Sequence, residues 1–383
     1  MKRIQAYKRE NGEFGIRNHV LILPLDAVSY TVCKAVVNIV RGTTTFYHPY
    51  GRMQFGEDLV LHFKTLIGCG KNPNVSSVIV VGIEPEWTRK IADGIQKSGK
   101  PVVSFYTTGN GDINTIERAC RQAVEFVSWS TSLRRTSCSL EDLIISIKCG
   151  ESDTTSGLAS NPALGVLVDK VCNRGGTILF GETPELTGAE HILCKHFENT
   201  ELQTKFLDVY NAYFNMIKDL GVDLLGSQPN EGNIAGGIST IEEKALGNIQ
   251  KMGKSIISDV LTTCQHPSKK GLQFMDTSSA AADILTAFAA GGSVLNLFTT
   301  GKGNNVGNVI CPTVKICANC QTCIDSAENI DVDISDIFAG NLSLEEASDL
   351  ILDKTIMVCN GQMCSAEILR HDEFAPIRVH PQA

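Results

Sequence analysis

The chain has 383 residues, of which 43% are hydrophobic, 20% charged and 6% aromatic, so it can bury two or three cores at roughly 100–200 residues per domain. A net charge of −8 argues against a nucleic-acid or anionic-membrane partner, and no apolar run reaches the roughly 18 residues of a membrane span. Residues 1–10 are charged where a secretory signal needs an apolar run, which points to the cytoplasm; there the 14 cysteines read as buried, metal-binding or catalytic thiols rather than disulfides.

In chain order, residues 20–23 (Val-Leu-Ile-Leu) predict a strand and residues 31–40 a helix. Helices are expected again at 57–67, 86–97 and 113–129, with strands at 77–82 and 101–106. This alternation predicts an α/β domain, and the unbroken Val/Ile runs predict a parallel sheet covered on both faces. The pattern breaks into Ser, Thr and Arg over residues 130–139, which sets a boundary near Ser137 and divides the chain into 1–137 and 138–383. The second region, also α/β, predicts strands at 143–147, 177–180, 255–260, 294–298 and 313–316, joined by glycine-rich connections. Open α/β sheets bind ligands at the carboxyl ends of their strands, so polar clusters just after strands are the candidates for function.

Residues 148–157 follow a strand and combine one thiol, two carboxylates and four hydroxyls. Cys149, Glu151 and Asp153 are candidate metal ligands, and Ser152 and Thr154 candidate contacts for an anionic substrate. The plainer reading is a helix cap. Residues 181–191 add Glu182 and Glu185 as further candidate ligands and His191 as a candidate acid–base group; a charged first helical turn would look the same. Residues 229–244 bring glycines that admit a ligand close to the backbone, and with them Asn233 as a substrate contact. Lys244, beside Glu242 and Glu243, is a candidate tuned base, and Glu243 a candidate acid–base partner. Against this stands an ordinary helix opened by a Ser239–Glu242 capping box.

His48, Tyr50 and Arg52 put an imidazole, a phenol and a guanidinium within five residues, an oxyanion clamp if they share a face and a surface loop otherwise. Gly68-Cys69-Gly70-Lys71 and Gly301-Lys302-Gly303-Asn304 are fragments of a phosphate loop that neither completes, so a nucleotide is not indicated; Thr300 and Lys302 remain candidate anion contacts. Cys317, Cys320 and Cys323 form two overlapping Cys-x-x-Cys units. With Cys359 or Cys364 they could ligate zinc or an iron–sulfur cluster, but without a fourth local ligand free thiols are the plainer state.

Taken together these stretches resemble the altronate/galactarate dehydratase family. The resemblance is carried by residues 11–19 (Asn-Gly-Glu-Phe-Gly-Ile-Arg-Asn-His), 50–52 with 54–58, 82–88, 148–157, 188–191, 232–247, 274–280 and 331–333. It implies a metal-dependent lyase with a Rossmann-like C-terminal catalytic domain flanked by helices and a preceding α/β domain that dimerises. It further implies a divalent metal, iron first and manganese second. Many relatives carry a small β-clip domain ahead of the segment that starts here near Tyr7, which implies a separate small β-clip subunit.

The sugar-acid members of the family place cysteines where this chain has Gly51-Arg52 and Ile83-Glu84, and an added arginine suits a sulfonate. Within that family the resemblance implies, as the expected reaction, elimination of sulfite from sulfolactate to give pyruvate. Two alternatives stay open: dehydration of an altronate- or galactarate-type sugar acid to a 2-keto-3-deoxy acid, and a non-catalytic metal or iron–sulfur module on the late cysteines.

Overall fold

A computed structural model describes residues 3–379. Strands β1 (Ile4–Lys8) and β2 (Phe14–Gly15) open the chain, followed by β3 (His19–Pro24), β4 (Thr43–Thr44), β5 (Val75–Gly82) and β6 (Val102–Tyr106). The last four form a parallel sheet in the order β4-β3-β5-β6. Val, Ile and Leu fill β3 and β5 without alternation because both faces are covered. Helices Tyr30–Ile39 and Asp112–Ser132 bury Val32, Cys33, Val36, Ala119 and Ala123 on one face. Helices Gly56–Lys71 and Pro85–Gln96 bury Phe63, Leu66, Ile91 and Ile95 on the other.

Strand β7 (Thr136–Cys138) pairs antiparallel with β1. The chain then builds a second parallel sheet from β8 (Ile144–Gly150), β9 (Thr177–Phe180), β10 (Ile257–Leu261), β11 (Gly271–Met275), β12 (Leu295–Thr300), β13 (Thr313–Cys317) and β14 (Val332–Asp333). Its seven strands run in the order β10-β11-β9-β8-β12-β13-β14, the Rossmann-like arrangement expected, with helices on its flanks. Strand β8 comes first in the chain, β9 lies on one side of it and β12 on the other. The strand order therefore reverses between β8 and β12, and their carboxyl ends form the crevice where ligands bind in such sheets. In the first sheet the same reversal falls between β3 and β5.

The two layers share apolar packing. Helix Gly56–Lys71 lies so close to helix Ala281–Ala290 that a Cβ on Gly68 would stand 2.3 Å from the Ala290 carbonyl oxygen. Leu179, Met275, Ile284 and Phe288 join Leu66 and Cys69 in one buried cluster. Polar ties reinforce it: Asn74 Nδ2 donates to the Val294 and Ile310 carbonyls at 2.8 and 3.0 Å, and Arg17 forks onto Glu367 at 2.6 and 2.7 Å. Among the described residues no helix is long and apolar enough to cross a membrane, and all 14 cysteines are free thiols.

Candidate active site

Strand β8 carries Lys148 and Cys149 just before its last residue, Gly150, and each is 1% exposed. A buried ammonium needs a partner, and Glu182, directly after β9, supplies it. Lys148 Nζ lies 2.6 Å from Glu182 Oε1, and Lys251 Nζ lies 2.6 Å from Oε2. Glu182 has left-handed backbone (φ 72°), and its N–H donates to Thr277 Oγ1 at 2.9 Å. Cys149 Sγ donates to Asn248 Oδ1 at 3.0 Å and sits 3.7 Å from Lys251 Nζ. Glu185 Oε1 is 3.3 Å from Lys244 Nζ and accepts from Gln228 Nε2 at 3.1 Å. Lys244 also donates to Gln228 Oε1 and, at 3.2 Å, to Asn233 Oδ1, while Asn233 Nδ2 donates to the Ser152 carbonyl at 2.8 Å.

Burial alone would strip the protons from Lys148 and Lys251, but Glu182, Glu185 and Cys149 outweigh it, and both ammonium pKa values are raised. Burial likewise opposes the Glu182 carboxylate, yet Lys148 and Lys251 together hold its pKa below the usual value. The Cys149 thiol is pushed up by burial, with Lys251 only partly offsetting it. The site is thus an ionised network closed off from water.

A cleft of about 500 Å³ meets this network at Lys244 and Asn248, which line it beside Ser152, Asp153, Thr154 and Glu243. Ser152 Oγ is buried there without a hydrogen-bond partner among the described residues.

One atom each from Cys149, Glu182 and Glu185 lies within 4.8 Å of the others, a spacing compatible with a metal ion. A thiol with two carboxylates suits a divalent transition metal. Glu185 Oε2 is buried without a hydrogen-bond partner among the described residues, so it has a lone pair to give. Glu182 Oε2 likewise makes no hydrogen bond among the described residues, but the Lys251 ammonium stands 2.6 Å from it and Lys148 stands against Oε1, so Glu182 is the more committed of the two.

Of the five expected metal ligands, Glu151 and Asp153 fall outside this group. Glu151 is exposed and accepts from Asn304 Nδ2 at 3.1 Å. Asp153 accepts from Thr155 Oγ1, the Ser156 N–H and Asn319 Nδ2 at 2.6, 3.1 and 2.7 Å. Among the expected acid–base residues, Lys244 is at the network, whereas His191 is exposed on the short helix Glu190–Leu193. Glu243 is exposed too, and its Oε2 accepts from the Ser239 N–H and Oγ, both at 2.9 Å. Thr240, rather than Ser239, caps this helix by accepting from the Glu243 N–H at 3.1 Å.

Ser152, Thr154 and Asn233 gather at the cleft or one hydrogen bond from it. Thr300 ends β12 beside β8 and accepts from the Gly303 and Asn304 N–H groups at 3.1 Å each, while Lys302 is exposed. His48, Tyr50 and Arg52 lie in the first domain. His48 is 1% exposed with both ring nitrogens engaged by backbone, Tyr50 is half-buried under Arg378, and Arg52 is exposed. Lys251, Asn248 and Gln228 carry no sequence signal of their own. Lys148 does: a lysine inside an apolar strand run demands a buried counter-charge.

An ionised, buried network under a cleft lined by polar and apolar side chains, at the reversal point of a covered parallel sheet, defines an α/β enzyme. Residues 6–131 match the family model for D-galactarate dehydratase/altronate hydrolase, second domain, and residues 140–382 that for D-galactarate/altronate dehydratase, C-terminal. The chain belongs to the galactarate/altronate dehydratase family. It is 49% identical to the (2R)-sulfolactate sulfo-lyase subunit beta of Chromohalobacter salexigens over 99% of this chain and 98% of that one. Similarity to the altronate dehydratase of Escherichia coli is 28% identity over 95% of this chain and 75% of the relative. For the galactarate dehydratase (L-threo-forming) of the same organism it is 28% over 79% and 60%.

Proposed function

We propose that this chain is the large, catalytic subunit of a carbon–sulfur lyase that removes sulfite from (2R)-sulfolactate and leaves pyruvate. The observation that carries this reading is the 49% identity, over nearly the whole of both chains, with a sulfo-lyase subunit, against 28% with the sugar-acid dehydratases.

In the reaction the C2 proton leaves, the C3–S bond breaks with its electron pair going to sulfite, and the resulting enolpyruvate tautomerises to pyruvate. Lys244, at the cleft wall, takes the C2 proton, and Glu185 stabilises the ammonium so formed. Ser152 Oγ, buried with an unused hydrogen bond, donates to a substrate oxygen. Thr154 borders the same space, and Asn233 stands behind it, bonded to the Ser152 carbonyl and to Lys244 Nζ. Charge builds on the substrate carboxylate as the proton leaves, so fixed dipoles and cations in a dry site count most there. A divalent metal held by Cys149 and Glu185, with Glu182, would supply Lewis-acid stabilisation of that charge; we read it as iron, with manganese second.

The relative's designation as a subunit beta supports a second polypeptide. We read that partner as a small β-clip subunit on a homodimer of this chain, with residues 1–137 dimerising, residues 138–383 catalytic, and the assembly in the cytoplasm.

The test is to incubate the two-subunit complex with ferrous iron and sulfolactate and to measure sulfite and pyruvate. Sulfite no higher than in a metal-free control rejects the reading. A 2-keto-3-deoxy acid formed from altronate or galactarate, without sulfite from sulfolactate, identifies a sugar-acid dehydratase instead.

A further inference from the structure

The three late cysteines have no part in the lyase chemistry, yet the fold gives them a definite arrangement. Cys317 ends β13 and is 0% exposed. Cys320 and Cys323 lie on the helix Cys320–Asp325 that follows, the first exposed and the second half-buried. With neither Cys359 nor Cys364 do they form a group spaced for a metal ion among the described residues.

Cys317 and Cys323 are instead wrapped round one turn. Cys317 Sγ accepts from the Asn319 N–H at 3.4 Å and lies 3.7 Å from the Asn319 carbonyl oxygen. That carbonyl accepts from the Cys323 N–H at 3.0 Å, and Cys323 Sγ lies 3.8 Å from the Cys317 carbonyl oxygen. The hydrogen bond from Cys323 lowers the Cys317 pKa against burial, and the same bond, with burial, raises that of Cys323. The pair therefore releases one proton and keeps the other between its sulfurs. Two sulfurs held this way need only side-chain rotation to bond. A thiolate beside a solvent-reached thiol is also the arrangement that oxidants attack.

Asn319 carries the state of the pair to the cleft. Its Nδ2 donates to Asp153 Oδ2 at 2.7 Å, and Asp153 lines the cleft at Lys244. Its Oδ1 caps the cysteine helix by accepting from the Thr322 N–H at 3.1 Å, and Thr322 Oγ1 donates to the Gly301 carbonyl at 2.7 Å. Packing there is tight: a Cβ on Gly301 would stand 2.3 Å from Asp153 Cγ. A bond between Cys317 and Cys323 takes the Cys317 sulfur from the Asn319 N–H and draws the first turn of the helix onto the strand end, so Asn319 turns away from Asp153.

We propose that Cys317 and Cys323 are a reversible thiol–disulfide site, closed by a hydroperoxide and opened by thiols, and that its closure frees Asp153 at the cleft. Cys323 is the solvent-facing member. Its sulfur attacks one peroxide oxygen, the O–O bond breaks, hydroxide leaves, and the shared proton passes to Cys317. The Cys317 sulfur then attacks the sulfenic sulfur of Cys323. The S–S bond forms, the S–O bond breaks, and the hydroxyl leaves with the Cys317 proton as water. Each sulfur gives up one electron and the peroxide takes two. Two external thiols reverse the step by exchange and leave as their own disulfide. The site goes beyond the lyase reading, and its thiol chemistry stands without it.

The test takes the full chain, reduced, through hydrogen peroxide, alkylation and peptide mapping by mass spectrometry. The expected product is a cross-link joining Cys317 to Cys323, formed roughly tenfold or more faster than oxidation of the half-buried Cys120 and reversed by dithiothreitol. Cys320→Ser should leave the cross-link intact and Cys323→Ser should abolish it. Hydrogen exchange reads the cleft: the amides of residues 153–156 should exchange roughly fivefold faster in the oxidised chain, the effect of losing one hydrogen bond. Oxidation spread evenly over the thiols, or a cross-link through Cys320 in place of Cys317, overturns the site. A Cys317–Cys323 disulfide that leaves those amides unchanged overturns its link to the cleft. None of these readouts uses sulfite release, so their failure is distinct from failure of the lyase reading.

Discussion

Lys251 holds its ammonium 2.6 Å from Oε2 of Glu182, with neither side chain more than 2% exposed. Lys148 stands equally close to the other oxygen. Removing the carboxylate leaves two buried ammoniums facing each other, whereas removing Lys251 leaves Glu182 paired with Lys148. Glu182→Gln is therefore expected to cost on the order of 3–5 kcal/mol, and Lys251→Met clearly less. Urea unfolding of both variants checks the order. A Lys251→Met protein less stable than Glu182→Gln contradicts the charge argument.

Lys244 Nζ lies 3.3 Å from Glu185 Oε1 at the cleft wall, and among the described residues no other lysine lines that cleft. As the proposed base it would act in the transition state and contribute little to ground-state binding. Lys244→Met should lower kcat about 100-fold or more while KM for sulfolactate changes little. A raised KM with unchanged kcat would assign Lys244 to substrate binding instead.

Metal loading separates the buried donors from the exposed ones. Cys149→Ser and Glu185→Gln should lower the metal bound per chain after anaerobic reconstitution with ferrous iron, and Glu151→Gln should not. Elemental analysis reads this without any assay of activity. Full loading of both buried-site variants would move the metal elsewhere.

Much of the fold was readable from unbroken apolar runs. β3, β5, β8, β9 and β12 each carry one, because both faces of a parallel sheet are buried. β11 went unforeseen since it opens on Gly271 and carries Gln273, a polar residue that is nonetheless 0% exposed. β1 alternates, burying Ile4 and Ala6 and exposing Gln5, and its pairing with β7 is set by residues more than 120 positions away, which no local pattern reveals. The site shows the same limit. Cys149, Glu182 and Glu185 stood out as ligand types after strands. Lys251 and Asn248, which hold them, lie on a helix end and a 100-residue loop closure away, so only tertiary geometry identifies them.

The clasp between Glu13 and His266, 2.6 Å from Oε1 to Nε2, joins the two layers and makes stability depend on pH. The hydrogen bond to Glu13 raises the His266 pKa against the effect of burial. On Glu13 burial acts upward, yet its bond to His266 and the attending charges leave the pKa lowered. A raised histidine contributes fully below its unfolded value and loses that contribution as pH climbs through its folded value. A lowered glutamate loses its share as pH falls through its folded value. The pair therefore works best between about pH 4.5 and 6.5 and fades above that. Partial exposure keeps it within about 1 kcal/mol. Glu13→Gln should lower Tm more at about pH 6 than at about pH 8.5. Equal losses at both would show that the clasp is not ionic.

Leu158 and Leu246 line the cleft at Lys244 and are 69% and 43% exposed, and Ile234 nearby is 44% exposed. Large exposed apolar side chains gathered at a cleft mark a surface that a partner covers. The chemistry needs such cover, because the charge that builds on the substrate carboxylate is stabilised far better in a site closed to water. The partner subunit proposed above would provide it. Leu158→Asp and Leu246→Asp, both at exposed positions, should leave the fold of this chain intact by circular dichroism. They should weaken its association with the small subunit in analytical ultracentrifugation at least roughly tenfold, the loss expected when a buried apolar anchor is replaced by a charge. Sulfite release should fall in step and recover when the small subunit is added in excess. An assembly that both variants form as tightly as the unaltered chain would place the partner on another face.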